Sequence, residues 1–99
     1  MEFRNLEKVR SILKDATGLD VSYAYDDLVF PDNTVFILQF DDTNASNFFC
    51  HFKEECGLDD RKLIMDSLES ISKKQQCSVI QKGSFRLEQK GEEVEIYFS

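Results

Sequence analysis

Several residue types are scarce in this 99-residue chain, and each scarcity closes off a class of function. Tryptophan is absent, there is one proline and one histidine, and only four glycines. Gly18, Gly57, Gly83 and Gly91 all fall where an element is predicted to end, so they serve turns, and no glycine-rich phosphate loop is present. No stretch approaches the roughly 20 apolar residues of a membrane helix. The first residues are charged and periodic, without the apolar centre of a signal peptide, which predicts a cytoplasmic protein. Basic residues are outnumbered 19 to 12, for a net charge of −7. A surface of that sign repels phosphate backbones and anionic lipid, so neither nucleic acid nor a membrane is expected as partner.

The lone histidine, His51, sits beside Cys50. On a strand such neighbours point to opposite faces, which separates them as nucleophile and base or as two ligands of one metal. Cys50, Cys56 and Cys77 lack paired zinc-ligand spacing and make an odd number, as expected of reduced thiols. Acidic pairs recur at Asp26-Asp27, Asp41-Asp42, Glu54-Glu55, Asp59-Asp60 and Glu92-Glu93. Paired carboxylates suit magnesium or acid–base work, yet these lie where strands end and a helix begins, and the calcium-loop pattern is missing. No cofactor, metal or catalytic residue is assigned.

What the chain does have is a folded balance, with 41% hydrophobic and 31% charged residues. It fits a single domain over residues 1–99. Phe3, Leu6, Val9, Leu13 and Ala16 form a helical stripe closed by Gly18, with Leu19 placed to fold back on Leu13. Val21 to Phe30 reads as a strand ending at a Pro31-Asp32-Asn33 turn. Val35 to Asp42 and Asn47 to Lys53 read as two more, joined through Thr43-Asn44-Ala45-Ser46. A second helix starts at Asp59 or Asp60, carries Ile64, Leu68 and Ile71, and fades near Gln75-Gln76. Ser78 to Lys82, Phe85 to Gln89 and Val94 to Phe98 follow, the last two alternating as half-buried hairpin strands. The expected fold is α+β, two helices on one face of a mostly antiparallel sheet, in the order α-β-β-β-α-β-β-β.

The run Thr-Val-Phe-Ile-Leu-Gln-Phe from Thr34 to Phe40 has almost no alternation, so that strand is apolar on both faces. Simple loop registers, with Phe40 opposite Phe49, gather Val35, Ile37, Cys50 and Phe52 on one face. Tyr23, Tyr25, Phe36, Leu38, Phe40, Phe49 and His51 gather on the other, and a slip of one residue exchanges the sets. The aliphatic face is expected to take the helices. The aromatic face then needs a cover, from the chain's own curl or second layer, from a second copy, or from another protein.

Tyr23, Tyr25, Phe36, Leu38, Phe40 and Phe49 are accordingly the candidate partner-binding residues, with Asp26, Asp27, Asp41 and Asp42 as an acidic rim steering a basic protein. The expected function is a non-catalytic protein-binding module, of inhibitor or immunity type or a chaperone-like adaptor. The alternatives are a structural homodimer burying the same face, and a metal-dependent enzyme using His51 and the paired carboxylates. In element order and low pI of about 4.6 the chain resembles class I type III secretion chaperones. That resemblance implies an acidic homodimer holding an unfolded segment of another protein.

Overall fold

A computed structural model describes residues 6–25, 27–32, 35–44 and 46–98, with Tyr25 described by its backbone alone. Helix α1 spans Leu6–Thr17, and Gly18 closes it at φ +77° with its N–H on the Lys14 carbonyl at 2.8 Å. Glycine suits that left-handed position because it has no Cβ to clash. Phe3, expected on the helix stripe, lies outside the described residues. The order that follows is β1 (Val21–Tyr25), β2 (Leu28–Pro31), β3 (Phe36–Phe40), β4 (Asn47–Lys53), α2 (Leu58–Lys74), β5 (Ser78–Lys90) and β6 (Glu93–Phe98).

The fold is α+β, with two helices and a curled, mostly antiparallel six-stranded sheet in the order β1-β2-β3-β4-β5-β6. Three expectations need correction. The element order is α-β-β-β-β-α-β-β, because the stretch read as one strand from Val21 to Phe30 is a hairpin. Tyr25 pairs with Leu28, so the chain reverses between them, and Pro31 ends β2 opposite Val21, with the expected turn beginning at Asp32. The physical reason is that Asp is itself a turn former, and Pro is tolerated at a strand end. Next, Gly83 does not end a strand. Between Cys50/Gln81 and His51/Gly83 the register shifts by one residue of β5, a bulge that lets one long strand bend and continue to Lys90.

The third correction concerns register. Phe40 pairs with Phe48, not Phe49, and that single step exchanges the faces of β3 relative to β4. Phe36, Leu38, Phe48, Cys50 and Phe52 therefore share one side. They pack against Val9, Ile12 and Leu13 of α1 and Met65 and Leu68 of α2 in one core. The aromatic-rich set, not the aliphatic one, takes the helices.

β4 and β5 run parallel, so their connection needs a crossover, and α2 supplies it. Gly57 caps this helix without a side-chain bond, while Asp59 and Asp60 lie in its first turn near the positive end of the dipole. Arg61 ties the crossover down. It donates from Nε to the Cys56 carbonyl at 2.9 Å, from Nη1 to Ser84 Oγ at 3.1 Å and from Nη2 to the Lys53 carbonyl at 3.2 Å. Its guanidinium also lies 5.6 Å from the Phe52 ring centroid. Arg61→Ala is expected to destabilise the fold by about 2 kcal/mol, since charge-assisted hydrogen bonds contribute about that much. Arg61→Lys should recover less than half, lacking the planar fork. Urea unfolding of the three proteins checks this, and equal midpoints would contradict it.

Candidate binding cleft

Register assigns the second face of the sheet. Tyr23 pairs with Phe30 and Leu28 with Gln39, while Ile37 pairs with His51 and Phe85 with Phe98. Leu87 and Ile96 form a further pair. Neither described helix covers this side, yet Ile37 and Phe85 are fully buried and His51 is 5% exposed. Curl accounts for their burial. Six strands laid flat would hold β1 and β6 roughly 24 Å apart at about 4.8 Å per step. Instead one cleft of about 960 Å³ is lined by Tyr23, Leu28 and Phe30 from one flank and by Leu87, Val94, Ile96 and Phe98 from the other. The sheet is a half-barrel with this face inside.

The walls are apolar and partly open to solvent. Tyr23 is 56% exposed, Val94 55% and Phe98 47%. Tyr23 stacks on Phe30 at 5.6 Å between centroids, which keeps its ring on the cleft wall. Phe98 lies 4.6 Å from the imidazole of His51. The size falls within the range of ligand-binding clefts, roughly 300–1,000 Å³, and the lining is of the usual kind.

Polar groups meet beside this wall. Gln39 Nε2 donates to Asp27 Oδ2 at 2.7 Å, because an ionised carboxylate only accepts. That turns Gln39 Oε1 toward His51, 2.9 Å from Nε2, so Nε2 carries the proton and donates. The other nitrogen, Nδ1, is a buried acceptor without a hydrogen-bond partner. Burial holds the imidazole below its ordinary pKa, the Lys82 ammonium adds to this, and Asp27 opposes it. Lys82 in turn sits 4.3 Å over the Phe49 ring.

The sequence-predicted site residues separate. Tyr23 lines the cleft, and Phe49 is half-buried on the same face. Tyr25 is placed at the end of β1, but its side chain, like the whole of Asp26, lies outside the described residues. Phe36 and Leu38 are 0% and 2% exposed under the helices, so their assignment to the open face is corrected by the register. Phe40 follows them, edge-on to Phe48 at 5.7 Å. Asp27 holds Gln39. Asp41 closes its own loop, accepting from Thr43 N–H at 2.8 Å and Thr43 Oγ at 2.6 Å, and those bonds keep its carboxyl below the usual range. Asp42 is exposed in the same loop. The walls that sequence reasoning did not assign are Leu28, Phe30, Leu87, Val94, Ile96 and Phe98. Their alternation in the last two strands was visible, but its meaning depended on the hairpin joining the sheet.

Among the described residues no group of three His, Cys, Asp or Glu side chains is arranged to hold a metal ion. Burial pushes the Cys50 thiol up to about 12, and the three cysteines are unpaired. No described helix is long and apolar enough to cross a membrane. No protein-family model, no curated protein and no solved structure matches this chain. The extra strand before α2 and the parallel β4–β5 pairing remove the element order on which the resemblance to secretion chaperones rested.

The histidine yields a prediction. Its folded pKa lies below the unfolded value, so the unfolded chain binds the extra proton first and stability drops as pH falls below about 6.5. Between pH 7 and 5 the melting temperature of the wild type should fall more than that of His51→Gln, measured side by side. An equal fall in both would show that His51 does not titrate differently on folding.

Proposed function

We propose that this chain is a small, acidic, non-catalytic protein-binding module whose working surface is the inner face of the half-barrel. The observation that supports the reading most is the cleft itself. Exposed Tyr23, Val94 and Phe98 flank a concave apolar wall, and large exposed apolar patches on small soluble domains are commonly recognition sites. Tyrosine and phenylalanine are efficient anchors at such surfaces because they bury much area with few rotatable bonds. The net charge of −7 adds long-range attraction for a basic protein and accelerates encounter. An inhibitor or immunity-type cap and a chaperone-like adaptor both use a surface of this kind.

The reading predicts which variants lose partner capture. Immobilised wild type should retain proteins from its own cell extract, and Val94→Asp should lose them. Leu63→Asp, which changes a 66%-exposed position on α2 away from the cleft, should retain them. Capture lost with Leu63→Asp but kept with Val94→Asp would place the surface on the helices instead. A wild-type chain that scatters light as a stable dimer, broken by Val94→Asp, would favour the structural homodimer.

A further inference from the structure

The cleft has an open seam, and its two borders are built differently. β1 pairs irregularly with β2, with a shift between Val21 and Tyr23 that bends the strand. β6 pairs with β5 in an unbroken register of six positions, from Lys90↔Glu93 to Phe85↔Phe98. Its sequence, Glu-Val-Glu-Ile-Tyr-Phe, contains no proline and no lysine. Bulges, prolines and lysines are the usual protections of a free edge, and β6 has none of the three.

The backbone of that edge is also oriented. Gly91 and Glu92 form a two-residue loop, with Gly91 at φ +63° and Glu92 at negative φ, as a type II′ hairpin requires. In such a hairpin the closing pair, Lys90 and Glu93, exchanges hydrogen bonds, and bonded pairs then alternate along the ladder. Glu93, Glu95 and Tyr97 thus direct their backbone groups at β5. Val94, Ile96 and Phe98 direct theirs away from it, toward the open seam. Those same three residues put their side chains into the cleft. An added strand would satisfy the free N–H and C=O groups and fill the apolar wall in one step.

Charge selects the occupant. Neither β1 nor β6 contains Lys or Arg, β6 carries Glu93 and Glu95, and its turn adds Glu92. Of these, Glu95 is already 3.5 Å from Lys90 of β5, which leaves Glu92 and Glu93 as the main attraction. Exposed Asp20 and Asp32 stand beyond the far ends of the β1–β2 hairpin. A second copy, itself of net charge −7, would set its own Glu92 and Glu93 against those of the first if it paired through β6. We propose that β6 takes up an extended segment of a partner protein, alternating apolar residues toward the cleft with basic residues outside it. This rests on the binding-module reading above and names its occupant as an added β-strand.

The probe is a short blocked peptide alternating lysine and valine, fluorescently labelled and titrated with the full chain. Binding is expected, weakened by salt, and at least about tenfold tighter than for the matching glutamate–valine peptide. Proline is tolerated where an edge N–H faces outward, so Ile96→Pro should keep the hairpin, as circular dichroism would verify. It should bind at least about tenfold more weakly than Ile96→Ala, which keeps the N–H and loses most of the side chain. An Ile96 N-methylated by semisynthesis removes the same donor with the side chain intact, and should match the proline variant. If both backbone-blocked proteins bind as well as their controls while Val94→Asp does not, strand addition is wrong and the cleft reading stands. If Val94→Asp also binds normally, both fall. A wild type that binds neither peptide, or that pairs with itself through β6, overturns the proposal outright.

Discussion

Parallel pairing of β4 with β5 cannot be closed by a tight turn, and that requirement organises the molecule. A crossover element has to travel the length of the sheet on one side, and α2 does so with Met65 and Leu68 turned inward. α1 joins it on the same side, adding Val9, Ile12 and Leu13 to one core. With both described helices spent on one face, the other has only the curvature of the sheet to shield it. Ile37, Phe85 and His51 are covered by that curvature, while the walls farther out remain open.

The consequences for function follow from geometry more than from any reactive group. The single histidine has one nitrogen engaged by Gln39 and the other buried without a partner, beneath Phe98. The acidic residues are dispersed: Asp27 accepts from Gln39, Asp41 closes its own loop, and Asp59 and Asp60 lie in the first turn of α2. What remains concentrated in one place is apolar surface, bordered by an edge strand and by carboxylates. That surface is the one the proposed binding function uses.

Much of the fold was legible in the sequence. The helix over Leu6 to Thr17 shows in its stripe and its glycine, and α2 in its stripe and its acidic first turn. The two-faced apolar character of β3 was equally plain. Register was not, because Phe40 opposite Phe48 and Phe40 opposite Phe49 both leave greasy faces, so the pattern could not penalise a slip. Phe36 and Leu38 were lost to the core by that one step. The β1–β2 turn was hidden for a related reason, since Pro31 offers a stronger local signal than Asp26-Asp27. The role of Val94, Ile96 and Phe98 depended on curvature, which no local pattern encodes.

The claim beneath all of this is that the sheet closes halfway on itself with its helix-free face inside. Spin labels placed at Ser22 on β1 and Glu93 on β6, in a chain whose native cysteines are replaced by serine or alanine, measure it directly. Both positions border the same cleft, so their pulsed-resonance distance should fall well short of the roughly 24 Å expected of a flat six-stranded sheet. A distribution centred at or beyond that value would mean a flat sheet, a fully wetted inner face, and no cleft for a partner to enter.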